Sequence, residues 1–199
     1  MKYMFNDRIA RIQTSLPPLF VTLSIGVILI LIYIFGMIFY PDQLLIQSRD
    51  MIGQWGQDNE LILNGEWYRL FTAFWIHGNV VHLASNLLFL LIFGSRLEEL
   101  VKGYELFLVF LISGIIGNVA TLGSILLGID FISLGASGAV FGLLGAILFL
   151  LGGKSKRERR SMSYFILIFF VITIGQDTNF ISHLFGLVGG FYVMKLLKN

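Results

Sequence analysis

Apolar and polar positions fall in long blocks along this chain, not at the two-residue alternation of a half-buried strand. A polar stretch over 1–16 leads through Pro17-Pro18 into an uncharged run from Leu19 to Tyr40. That run is long enough to cross a bilayer core of about 30 Å, and Pro18 suits the first turn of a helix. It exceeds the apolar region of a secretory signal, about 7–15 residues, and shows no small-residue cleavage site, so it predicts a retained helix over about 18–40. Later runs predict helices over about 78–97, 104–127, 137–153, 161–175 and 181–197. Between the first two, 41–76 mixes Asp42, Arg49, Asp50, Asp58, Glu60, Glu66 and Arg69 with Trp55, Trp67, Tyr68, Phe71, Phe74 and Trp75. Aromatics with polar neighbours suit the membrane interface, which predicts a long, partly embedded outer loop. The expected fold class is an all-α membrane protein, a six-transmembrane-helix bundle forming one domain over 1–199.

Composition agrees with that class. The 199 residues are 56% hydrophobic and 13% charged, against about a quarter charged in soluble domains. A net charge of +2 without a basic stripe excludes a nucleic-acid partner. With no cysteine, disulfides, thiolate nucleophiles and Cys-ligated metals are excluded too. Six crossings with the amino end inside put 12 of the 14 basic residues on one side, leaving Arg49 and Arg69 outside. This asymmetry predicts cytoplasmic termini.

All three histidines, His77, His82 and His183, lie in apolar surroundings, and polar groups at membrane depth are costly enough to suggest function. Counting up from the inner charges at about 1.5 Å per residue puts Ser137 at roughly 25 Å, His82 at 21 Å, His183 at 18 Å and Asn86 at 15 Å. All four then occupy the outer half of the layer. A serine in such a helix commonly bonds its own backbone or bridges to a neighbour. The glycines around this one favour more. Gly135 permits a tight turn, while Gly138 with Gly142 and Gly186 with Gly190 make matching small faces on two helices. If those faces pack, Ser137 and His183 come within reach.

A serine hydroxyl becomes a useful nucleophile when a neighbouring imidazole takes its proton. Asp130 and Asp177 could orient that imidazole, but both lie in loops, so a dyad is expected. His82 and Asn86 share one helix face at i and i+4. Both can donate hydrogen bonds to an oxyanion, an effect often worth about 3–4 kcal/mol per donor. His77 is off that face, so no metal site is expected, and its anticipated role is support of the loop and backbone at the top of the second helix. The Gly135 turn predicts a helix beginning near Ser137, below a non-helical stretch and an outward-opening polar cavity.

Trp67-Tyr68-Arg69, His77-x4-His82-x3-Asn86, Gly94-x3-Glu98, Gly135-Ala136-Ser137-Gly138 and His183-x2-Gly186-x3-Gly190 stand in this order. In this the chain resembles the rhomboid intramembrane serine proteases from Glu66 to Gly190. The resemblance implies Ser137 as nucleophile, His183 as general base, and an oxyanion hole of His82, Asn86 and the Ser137 backbone N–H. Trp67, Arg69, His77, Glu98, Gly135, Gly138, Phe141, Gly186 and Gly190 would be structural supports. It implies transmembrane protein substrates within the lipid bilayer, no cofactor and no metal. The expected location is a prokaryotic cell membrane, with the site open to the outside. Two departures stand out: Ser182 replaces a frequent alanine, and Phe141 replaces a tyrosine that stacks on the base, which would hold His183 less firmly. A catalytically silent rhomboid-like binder of transmembrane clients would typically lack the serine or the histidine. A transporter should show internal repeats or charges within its helices, and neither is found.

Overall fold

The computed structural model describes residues 19–41, 45–152, 160, 164 and 179–199. Those residues form helices α1 (Phe20–Phe39), α2 (Arg49–Trp55), α3 (Asn59–Leu63), α4 (Arg69–Thr72), α5 (Val80–Glu98), α6 (Gly103–Gly123), α7 (Ser137–Leu151) and α8 (Phe180–Lys198), with 3-10 turns at Ala73–Trp75 and Ser124–Leu127. The predicted helix over 161–175, the segment 1–16 and Asp177 lie outside the described residues. Among the described residues, four helices are long and apolar enough to cross a membrane, namely α1, α5, α6 with its 3-10 extension, and α8.

Helix α7 is the exception, and the exception positions the site. Its 15 residues reach about 22 Å at 1.5 Å per residue, short of a 30 Å layer. Every residue from Gly138 to Ile147 is buried, and α7 packs among the longer helices α5, α6 and α8. Small residues let them close in. A Cβ on Gly186 would strike the Gly138 carbonyl oxygen, and one on Gly190 the carbonyl oxygen of Gly142. A Cβ on Gly142 would likewise overlap the Ser113 hydroxyl of α6. With no hydrophobic drive between helices in lipid, such close backbone approach is what holds a bundle together.

The connection from α1 to α5 is more ordered than a loop. Ser48 and Asp58 accept hydrogen bonds from the Met51 and Leu61 backbone N–H groups and so cap α2 and α3. Antiparallel bridges at Ile46–Asn79 and Gln57–Ser133 tie the segment to the start of α5 and to the strand-like approach to α7. Arg69 is 3% exposed; it donates to Glu66 at 2.7 Å, Gly53 O at 2.8 Å and Gly56 O at 2.9 Å. Trp67, by contrast, is 57% exposed. At the other end of the bundle Glu98 accepts from Val21 N at 2.8 Å, Thr22 N at 3.0 Å and Thr22 Oγ1 at 2.6 Å, which fastens α5 to the start of α1. Gly94 leaves the room for Thr22 to approach.

Candidate active site

The chain enters α7 through a sharp turn. Gly135 has φ +109°, a region where a side chain is strained, and a Cβ there would lie 2.7 Å from Cε1 and Nε2 of His82. The turn is therefore pressed against the His82 ring. The Gly135 N–H donates to Ala73 O at 2.9 Å, and the Ala136 N–H donates to His77 Nε2 at 3.3 Å. His77 thus supports the turn before Ser137, a more distant target than the top of its own helix. It stands before the Asn79 cap of α5, so its side chain is free of the helix and reaches across. At 1% exposure, burial and the neighbouring His82 push its pKa down to about 3 and hold it neutral.

Ser137 is the first residue of α7, where the opening N–H groups have no carbonyl within the helix to bond. Its Oγ lies 2.7 Å from Nε2 of His183 on α8. The histidine is 4% exposed, and its Nδ1 is buried with no hydrogen-bond partner among the described residues. Asp130 does not orient that nitrogen: its Oδ1 accepts from Asn59 Nδ2 at 3.0 Å instead. What holds the imidazole is Phe141, stacked on it with ring centroids 4.3 Å apart and planes 21° from parallel. The phenyl ring thus stacks on the histidine without the hydroxyl that a tyrosine would carry.

On α5, His82 sits edge-on to His77 with ring centroids 5.1 Å apart. Asn86 is 4% exposed and donates from Nδ2 to His82 O at 2.9 Å, which uses one of its two amide hydrogens. The site therefore draws on α5, α7 and α8. Polar groups that sequence reasoning passed over lie close in sequence to Ser137 and His183 or bond to groups that do: Gln57, Asn118, Thr121, Ser133 and Asn179 are all buried and interlinked. Asn179 alone carried a legible signal, an amide just ahead of an apolar helical run.

The Rhomboid domain family profile matches residues 64–199. The chain belongs to the rhomboid family. Relatives include YdcA of Bacillus subtilis (strain 168), 36% identical over 140 residues that cover 68% of this chain and 69% of that protein. Rhomboid protease GluP from the same organism is 33% identical over 146 residues, 71% of this chain and 28% of GluP. RHOMBOID-like protein 1 of Arabidopsis thaliana is 36% identical over 128 residues, 63% of this chain and 32% of the relative. The matched rhomboid part thus spans under a third of the last two.

Proposed function

We propose that this rhomboid is an intramembrane serine endopeptidase, cutting peptide bonds in or near transmembrane segments of other membrane proteins. The observation that carries the reading is the 2.7 Å contact between Ser137 Oγ and His183 Nε2, made by two different helices at the start of a helix too short to span. Retention of both side chains in contact argues against a silent binder. In this reading the Ser137 hydroxyl attacks the scissile carbonyl carbon while its proton passes to His183 Nε2. The carbonyl oxygen takes the negative charge, and His82, Asn86 and the Ser137 backbone N–H donate to it. The imidazolium then returns its proton to the leaving amine, and water, activated by the same base, hydrolyses the acyl-enzyme.

One domain of six crossings, cytoplasmic termini and a site open to the outer face of a prokaryotic cell membrane complete the proposal. The stretch before Ser137 runs alongside buried protein groups, which is where non-helical backbone is tolerated at membrane depth. Water would reach the dyad by that route. A substrate helix would have to unwind to offer its backbone, so helix-breaking glycine or proline near a small residue is the expected target. The test is cleavage of a transmembrane substrate by protein purified in detergent and returned to liposomes. Ser137→Ala and His183→Ala should each abolish turnover; product formed by either variant at the wild-type rate would contradict the assignment.

A further inference from the structure

The dyad joins two segments that are distant in sequence, and one side chain above it touches both. Asn179 caps α8: its Oδ1 accepts from Ser182 N at 2.9 Å and its backbone oxygen accepts from His183 N at 3.2 Å. The same amide donates from Nδ2 to Ser133 Oγ at 2.7 Å, four residues before Ser137, and to Thr121 Oγ1 on α6 at 2.7 Å. Ser133 is itself fixed, since its backbone exchanges hydrogen bonds with Gln57 at 2.8 and 3.0 Å. Gln57 in turn donates from Nε2 to Asn118 O on α6 at 2.8 Å. Asn179 is 8% exposed, Ser133 6% and Thr121 0%, so water competes little for these bonds. Among the described residues, the Asn179–Ser133 bond is what ties the start of the His183 helix to the approach to Ser137.

We propose that Asn179 is a positioning residue for the Ser137–His183 pair, holding the base helix and the nucleophile's turn to one amide. The inference rests on the serine protease reading above. Cap and clamp are separable, because the cap uses Oδ1 and the clamp uses Nδ2. Serine at this position caps a helix about as well as asparagine but is too short to reach Thr121 and Ser133 together. A small misplacement of reacting groups can cost about 10²-fold in rate.

The experiment compares wild type, Asn179→Ser, the double variant Thr121→Val/Ser133→Ala and the triple variant in liposomes, on a transmembrane substrate, with a fluorophosphonate titration counting competent sites. Asn179→Ser should lower kcat per titrated site about 10- to 100-fold, with KM unchanged and the melting temperature near wild type. The double variant removes the same two bonds from the other side and should fall by a similar factor, while the triple variant should fall no further, as coupled groups do. Wild-type kcat per site in Asn179→Ser would overturn the inference, and so would a loss explained wholly by fewer titratable sites. Ser137→Ala, run alongside, separates the two claims: turnover surviving in it defeats the protease reading itself, whereas its inactivity beside a fully active Asn179→Ser defeats the role of Asn179 alone.

Discussion

Phe141 and His77 hold the two sides of the proposed dyad by different physics. The phenyl ring lies flat on His183, and an aromatic pair of this kind contributes about 0.5–1.5 kcal/mol beyond its burial. Phe141→Leu keeps the apolar volume and loses the flat surface, so kcat should fall by about 2- to 10-fold. Phe141→Tyr should retain the wild-type rate; steady-state cleavage of one substrate by both variants decides the matter. His77 works as a neutral acceptor of the Ala136 N–H. Its folded pKa is about 3, against 6.5 in the unfolded chain. Between those values the unfolded chain binds a proton that the folded one does not, so acid weakens the fold, by up to about 1.4 kcal/mol per pH unit from this group. The contribution is fully present above pH 6.5 and is lost progressively as the pH falls towards 3. His77→Gln keeps an acceptor and removes the titration. Melting temperatures read from pH 4 to 7 should fall less steeply on the acid side in that variant than in wild type.

At the scale of elements, what fastens one helix to the next is mostly invisible in a local pattern. The apolar run between Pro18 and Pro41 allowed one reading of α1, and the charges Arg96 to Lys102 set off α5 from α6. Gly138, Gly142, Gly186 and Gly190 marked the contact of α7 with α8 because small residues at four-residue spacing say that backbones touch. Ser48 and Asp58 cap α2 and α3 in the structure, but the mixed composition around them read as loop. Glu98 shows what spacing cannot give: its partners lie more than 70 residues away on α1. Three hydrogen bonds to one carboxylate make a strong fastening, since bonds to a charged group contribute about 1.5–3 kcal/mol. Glu98→Ala should therefore lower the melting temperature in detergent by several degrees. It should leave kcat per competent site close to wild type, because Glu98 fastens α1 and not the dyad helices; unaltered melting would refute the fastening.

For the molecule as a whole, Ser137, His183, His82 and Asn86 were legible because polar atoms in apolar runs are rare and costly. The network of Gln57, Asn118, Thr121, Ser133 and Asn179 was not, since ordinary polar residues near helix ends have many possible partners and only the folded chain selects among them. The stacking of Phe141 on His183 was hidden for a related reason: a missing hydroxyl is visible in sequence, a ring plane is not. The architecture places a short buried helix among longer ones, so that its first residue meets a histidine of a neighbouring helix. Reactivity of that serine is the central claim. The most direct measurement is mass-spectrometric mapping of fluorophosphonate labelling in liposomes for wild type and His183→Ala. Labelling should fall on Ser137 in the wild type and be lost in His183→Ala. A label on a different residue, or equal labelling of Ser137 without the histidine, would contradict the account.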